Sequence, residues 1–321
     1  METRSSDLKL FKSIKDAARE ELIYIKGRME GKYQSLLTPW TKFNIASMNG
    51  IEWGTITTIG GMSGSGKTAI LNELETGLFE RNPSQDFAVL SFNFEMLARR
   101  LVGRKISRTL GKTIKEIYSA DIANPGLNIT DAQYKQALEY CRTIVDLPVT
   151  YIDIPMTVER IREYILRFNQ IPENQKKGIL VTLDHSILVK RNGGKDQLET
   201  LYELGAMFSE VKKKIKVSFV IVTQLNRDIE RSERKENKLL HYPQKSDVFG
   251  ADALYQHSDI FLITHRPEML GLQAYGPKDL PVRGTIYWHY IKCRDGDPIV
   301  ARMVNKLKYN TVEDYIPESS T

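Results

Sequence analysis

Gly61-Met62-Ser63-Gly64-Ser65-Gly66-Lys67-Thr68 satisfies GxxxxGK[ST] at every fixed position. The stretch is preceded by a β-branched run, GTITTIG (54–60), and followed by AILNELETGLF, so it reads as strand, tight loop, helix. The residue types suit a triphosphate. Gly61, Gly64 and Gly66 let the backbone curl until its N–H groups, with those of Ser63 and Ser65, face phosphate oxygens. The helix that follows points its positive end at the same place. Lys67 is the candidate cation for the β- and γ-phosphates, and Thr68 the candidate hydroxyl ligand of Mg²⁺. ATP and Mg²⁺ are therefore the expected ligands. A glycine-rich turn matching by chance lacks this strand-loop-helix setting.

Outward from the loop, short apolar runs alternate with helical stretches. The runs are FAVLSFNF (87–94), GILVTLD (178–184), VSFVIVTQ (217–224) and DIFLIT (259–264). Helices are expected over 67–80, 96–109, 130–145, 157–169 and 196–215. Thr130 with Gln133 supplies a capping box. This alternation predicts an α/β fold whose mostly parallel sheet is covered on both faces. TIYWHYIK (285–292) and IVARMVNK (299–306), joined by CRDGDP, predict a C-terminal antiparallel hairpin. Leu8, Phe11, Ile14, Ala18, Leu22, Ile25 and Met29 recur at steps of three and four, so residues 6–31 read as an amphipathic extension helix. The expected division is 1–37 for the extension and 38–321 for the α/β domain.

Ligands of open α/β sheets sit beyond the carboxyl ends of the strands. Three runs deliver a polar residue there: Glu95, Asp184 and Gln224. Asp184 is the candidate ligand of the Mg²⁺ shell, Glu95 the candidate base for an attacking water, and Gln224 a candidate γ-phosphate sensor. Each has a structural rival: a cap for Asp184, a first-turn helix glutamate for Glu95, and a backbone-bonded amide for Gln224.

Bulk properties narrow the setting. The 46 Lys and Arg exceed the 40 Asp and Glu, a net +6 that favours polyanionic partners weakly. No apolar run is long enough for a membrane helix, and the first residues lack a secretory leader pattern. Cys141 and Cys293, the two cysteines, suggest neither a disulfide framework nor a zinc cluster. A cytoplasmic protein is expected.

Taken in order, these segments resemble the C-terminal motor domain of DnaB-type replicative helicases, over about residues 38–308. The resemblance is carried by GMSGSGKTAI, SFNFEM (91–96), LPVTYIDIPMTVERI (147–161), ILVTLDHSILV (179–189), TQLNRDIERSER (223–234), SDVFGADALYQHSDIFLITHR (246–266) and YIKCRDGDP (290–298). His185-Ser186 and Phe249-Gly250 depart from the family's usual residues. Only about forty residues precede the motor, where the family usually has a helical domain. The resemblance implies a RecA-like P-loop NTPase acting as a homo-oligomer, a hexameric ring on single-stranded DNA, in a bacterial cell or phage-infected host. It implies Glu95 as catalytic base. Lys292 and Arg294 would reach the γ-phosphate of the neighbouring copy. Their rival reading is a solvated hairpin edge. Primase or a helicase loader are further partners that it raises.

Two loops after strand ends carry cations: Lys190, Arg191 and Lys195 in 188–197, and Arg227, Arg231, Arg234 and Lys235 in 226–238. Lys190, Arg191, Lys195, Arg231 and Arg234 are the candidate phosphate contacts of a single strand. Acidic neighbours in the second loop leave a charge-mixed solvated segment as its rival. The competing functions are a recombinase-like coating ATPase, a loader-type ATPase and a small-molecule kinase. The last is least supported, since no arginine-bearing lid is visible.

Overall fold

A computed structural model of the chain describes residues 11–317 apart from 120–123, 125 and 127. Its contacts divide the chain into two units, Met1–Ser35 and Leu36–Thr321. In the first, helix α1 (Ile14–Met29) begins where Ser13 Oγ accepts from Asp16 N at 3.1 Å. The expected helix over 6–31 is shorter: Phe11, Lys12 and Ser13 precede it, because Ser13 caps its first turn, and Leu8 lies outside the described residues. Ile14, Leu22, Ile25 and Met29 of the predicted apolar stripe are exposed.

The second unit follows the expected alternation. Its elements are α2 (Thr41–Ala46), β1 (Ile56–Gly61), α3 (Lys67–Arg81), β2 (Phe87–Asn93), α4 (Ala98–Leu110), α5 (Ile114–Tyr118), α6 (Asp131–Ile144) and β3 (Val149–Ile152). They continue with α7 (Val158–Gln170), β4 (Gly178–Asp184), α8 (Gln197–Val211), β5 (Val217–Gln224), α9 (Ser232–Glu236), α10 (Ala251–His257), β6 (Ile260–His265), β7 (Thr285–Cys293), β8 (Val300–Lys306) and β9 (Thr311–Asp314). Among the described residues one sheet runs in the order β3-β2-β4-β5-β1-β6-β7-β8-β9. Strands β1 to β6 are parallel, and β6 to β9 pair antiparallel.

The central strands are buried along their whole length, because both faces are covered. Period-two alternation divides their side chains between two cores. Ala88, Leu90 and Phe92 of β2 pack with Ile161, Ile165, Leu204 and Phe208 of α7 and α8. Phe87 and Val89 pack with Ile70, Leu74 and Leu78 of α3 and with Trp40 and Trp288. Strands β3 and β9 are not among the runs read from sequence. Each has four residues at a sheet edge with exposed or half-buried positions, so neither carries a continuous apolar run. Helix α4 starts two residues later than expected, since Leu97 is extended with ψ 142°.

Candidate nucleotide site

Strand β1 lies at the centre of the sheet, and the phosphate loop leaves its carboxyl end. Gly61 pairs in register with Gln224 on β5 and with Thr264 on β6. A Cβ on Gly61 would come within 2.3 Å of Ser65 Oγ and 2.8 Å of Thr264 O, so the chain has no room for a side chain there. Gly64 and Gly66 take φ of +78° and +98°, which favours glycine. Helix α3 begins directly at Lys67, whose Nζ donates to Gly61 O and Met62 O at 2.8 Å each.

The strand order brings the expected polar residues to one edge. Asp184 ends β4 opposite Asn93 of β2, Glu95 follows β2 by two residues, and Gln224 ends β5. With the loop they frame a cleft of about 380 Å³, lined by Ser63, Gly64, Gly66, Lys67, Thr68, Glu95, Arg104, His185, Gln224, Leu307 and Asn310. Burial pulls the Lys67 ammonium down to about 8, against the attraction of Asp184 and Glu95. Burial pushes the Asp184 carboxyl up to about 6, opposed first by a hydrogen bond from Thr68. The His185 imidazole is lowered first by burial and then by Lys67.

Asp184 Oδ1 is buried without a hydrogen-bond partner among the described residues. An orphaned carboxylate oxygen beside a threonine hydroxyl fits Mg²⁺, which takes one or two protein oxygens and completes its shell with phosphates and water. No cluster of three or more His, Cys, Asp or Glu able to hold a metal occurs among the described residues.

Sequence spacing does not single out Arg104, yet it lines the cleft. Its guanidinium interacts with Asp184 and Glu95, and burial lowers it. Its neighbour Lys105 explains why it sits there. Lys105 is 2% exposed and its Nζ pairs with Glu75 at 3.3 Å and donates to Asn72 O, so α4 is fastened to the phosphate-loop helix. Glu75 also accepts from Ser91 and Thr182 of β2 and β4. The sequence offers Arg99, Arg100, Arg104, Lys105 and Arg108 on one helix, and spacing alone does not say which faces the loop.

Lys292 and Arg294 stand elsewhere. Asp259 N donates to Ile56 O, and Arg294 N donates to Asp259 O at 2.9 Å, so Arg294 lies level with the beginning of β1. The phosphate loop leaves the other end, five residues on, or about 17 Å away. Arg294 Nε approaches Asp259 Oδ1 at 3.1 Å and about half of the side chain is exposed. Lys292 Nζ donates to Tyr255 O at 2.6 Å and lies 4.8 Å from the Tyr255 ring, so it caps the last turn of α10.

The two basic loops leave β4 and β5, on the phosphate-loop edge. Lys190 and Arg191 are exposed. Lys195 pairs with Glu203 at 2.9 Å, and Arg231 with Asp228 at 2.5 Å. Arg234 is spent on its own loop. Its Nε donates to Leu240 O at 2.9 Å, Nη2 to Tyr242 O at 2.8 Å, and Nη1 pairs with Asp247.

A family profile described as the DnaB-like helicase C terminal domain matches residues 36–310. Curated protein sequences give no match. Among solved structures, one described as an ATPase domain superposes with a TM-score of 0.75 at 16% identity, covering 93% of this chain and 98% of that one. A DnaB-like replicative helicase, solved in a study of its interactions with primase, gives 0.75 at 15% identity over 95% of this chain and 68% of that one. A KaiC-like protein from the hyperthermophilic archaeon Pyrococcus horikoshii OT3 gives 0.55 at 13% identity, over 88% and 100%. At these identities the structural likeness is one of fold.

Proposed function

The chain belongs to the DnaB-like helicase C-terminal domain family, and from that premise we propose that it is an ATP-driven helicase whose hydrolytic site is shared between neighbouring copies in a hexameric ring on single-stranded DNA. One observation carries the shared site. Glu95, Lys67, Asp184, Gln224 and Arg104 converge at one edge of the sheet, while Arg294 sits at the opposite edge of the same chain. Arg294 therefore has no route to its own nucleotide, and a cation of this kind acts on a neighbour's. Beside it opens a cavity of about 210 Å³ lined in part by Ile45, Met48, Ile260 and Ile299, with Ile45 and Met48 exposed. That apolar hollow suits contact with a second copy.

In the proposed reaction ATP lies in the cleft with its phosphates against the loop N–H groups. Lys67 moves from the loop carbonyls to the β- and γ-oxygens. Thr68 and Asp184 would hold Mg²⁺, which when bound would supply positive charge beside the phosphates. Glu95 orients a water in line with the γ-phosphorus and accepts its proton. Arg104 from the same copy and Arg294 from the next stabilise the charge that spreads over the transferring group. Lys292 steadies the hairpin through α10 and lends positive potential beside Arg294. Gln224 links loss of the γ-phosphate to the segment after β5, since its carbonyl accepts from Phe249 N at 3.0 Å. Lys190, Arg191, Lys195 and Arg231 contact the strand's phosphates, and Arg234 anchors the second loop. Primase or a helicase loader are proposed partner classes, and the cytoplasm the compartment.

Mixing two impaired variants tests the shared site. Arg294→Ala and Lys67→Ala chains are each expected to keep only a small residual turnover alone and to regain activity together, because a mixed interface pairs an intact loop with an intact Arg294. No recovery in oligomers whose mixing is verified by native mass spectrometry would sink the proposal.

A further inference from the structure

Asp259 occupies an unusual place. It stands one residue before β6, at the edge far from the phosphate loop, and its carboxylate is mostly buried. Oδ2 accepts from Ile56 N at 2.8 Å and from Lys212 Nζ at 2.9 Å. Oδ1 faces Arg294 Nε at 3.1 Å. The two oxygens thus do different work. One is tied to the first residue of β1 and to the end of α8, which fixes the carboxylate plane. The other meets the guanidinium from the side of Nε, and about half of the Arg294 side chain is exposed. The backbone repeats the tie, since Arg294 N donates to Asp259 O.

A long, exposed arginine loses considerable side-chain entropy when it is ordered. An arginine that must meet a phosphoryl group on another copy gains from having lost that freedom beforehand. We propose that Asp259 is the positioning residue of the trans-acting arginine: it holds the Arg294 guanidinium side-on at the sheet edge, already aimed at the neighbouring copy's nucleotide. This rests on the shared-site reading above and adds to it the group that makes the arginine effective. Asp259 stands level with the start of β1, at the end of the strand away from the phosphate loop. Its effect on turnover passes through Arg294, while its bonds to Ile56 N and Lys212 hold the carboxylate in place.

The consequence is a separation of kcat from KM. Asp259→Asn keeps an oxygen acceptor for Ile56 N and removes the charge that Arg294 and Lys212 face. In ssDNA-stimulated turnover of the full chain, kcat is expected to fall about tenfold, with KM for ATP within about twofold of wild type. Combined with Arg294→Ala, the substitution is expected to lower the residual turnover by less than about twofold, as befits two residues acting as one unit. Wild-type kcat for Asp259→Asn while Arg294→Ala is strongly impaired would overturn the positioning role and leave the shared site standing. Wild-type turnover by Arg294→Ala would instead remove the shared site itself. A further loss of about tenfold on adding Asp259→Asn to Arg294→Ala would show that the carboxylate acts through the fold, and would also overturn the proposal. If Asp259→Asn does not fold, Asp259→Glu keeps the charge and displaces it. A lowered kcat with unchanged KM then supports the role, and an unchanged kcat overturns it.

Discussion

The two edges of the sheet are built on opposite principles. At the phosphate edge the acting groups are sunk into the fold: Lys67 is 8% exposed and Asp184 2%. Four adjacent strands contribute to it, and burial moves Lys67 down to about 8 and Asp184 up to about 6. At the far edge Arg294 is about half exposed and held by one carboxylate. A binding site that closes around its ligand benefits from burial, which strengthens every charge inside it. A group that completes a site on another molecule must stay at the surface, and pays for reach with looser tethering. On the shared-site proposal, recognition of the nucleotide falls to one edge and triggering of its hydrolysis to the other.

The largest effect that would break this contrast is at Glu95. Glu95→Gln is expected to lower kcat by about 10²- to 10⁴-fold and to leave ATP affinity within about twofold. Single-turnover hydrolysis beside a nucleotide titration measures both. A matching loss of affinity would make Glu95 part of binding and merge chemistry with recognition.

A smaller effect concerns the region between the edges. His265 ends β6 on the phosphate side, and His289 lies in β7. Tyr275 Oη bridges them, 2.6 Å from His265 Nδ1 and 2.8 Å from His289 Nε2. Burial lowers His289 to about 3, and holds His265 well below its ordinary value. An unfolded histidine takes up its proton near a pH of about 6.5, while these stay neutral in the fold. Between about pH 6.5 and 3 the unfolded chain binds more protons, so stability falls as pH falls through that window. His289→Phe is expected to flatten that acid slope by up to about 1.4 kcal/mol per pH unit. Thermal unfolding at a series of pH values checks it, and an unchanged slope refutes the assignment.

The smallest expected effects belong to the exposed cations of the first basic loop. Lys190→Ala and Arg191→Ala should each weaken single-strand binding and reduce the salt slope of log Kd by about 0.7. Fluorescence anisotropy against salt measures this. Turnover without DNA should be unchanged, because neither side chain lines the nucleotide cleft. An unchanged slope in both would move the strand contact to another face.

What the sequence made legible follows the range of the interactions involved. The phosphate loop and the buried strands depend on near neighbours and on burial, so pattern and spacing find them, and β4 and β5 fall on the expected runs to the residue. Glu95, Asp184 and Gln224 can be grouped because parallel strands end at a common edge. Arg104 is hidden, since its direction depends on a buried pair between Lys105 and Glu75, which are far apart in sequence. Arg234 reads as a free cation, but Asp247, thirteen residues on, folds back to hold it. Lys292 and Arg294 are singled out through resemblance, and nothing local announces Tyr255 and Asp259 as the groups that hold them. The short strands β3 and β9 draw their pairing from neighbours already in place and carry little signal of their own.

The tie between Asp259 and Ile56 has a mechanical consequence. Strand β1 starts at that tie and finishes in the phosphate loop, with β5 and β6 splinting it on both sides. On the shared-site proposal it would be a gauge bar of fixed length between the site a copy owns and the site it would serve next door. In a closed assembly that length would set the stride, and an insertion in β1 would put every joint out of true at once.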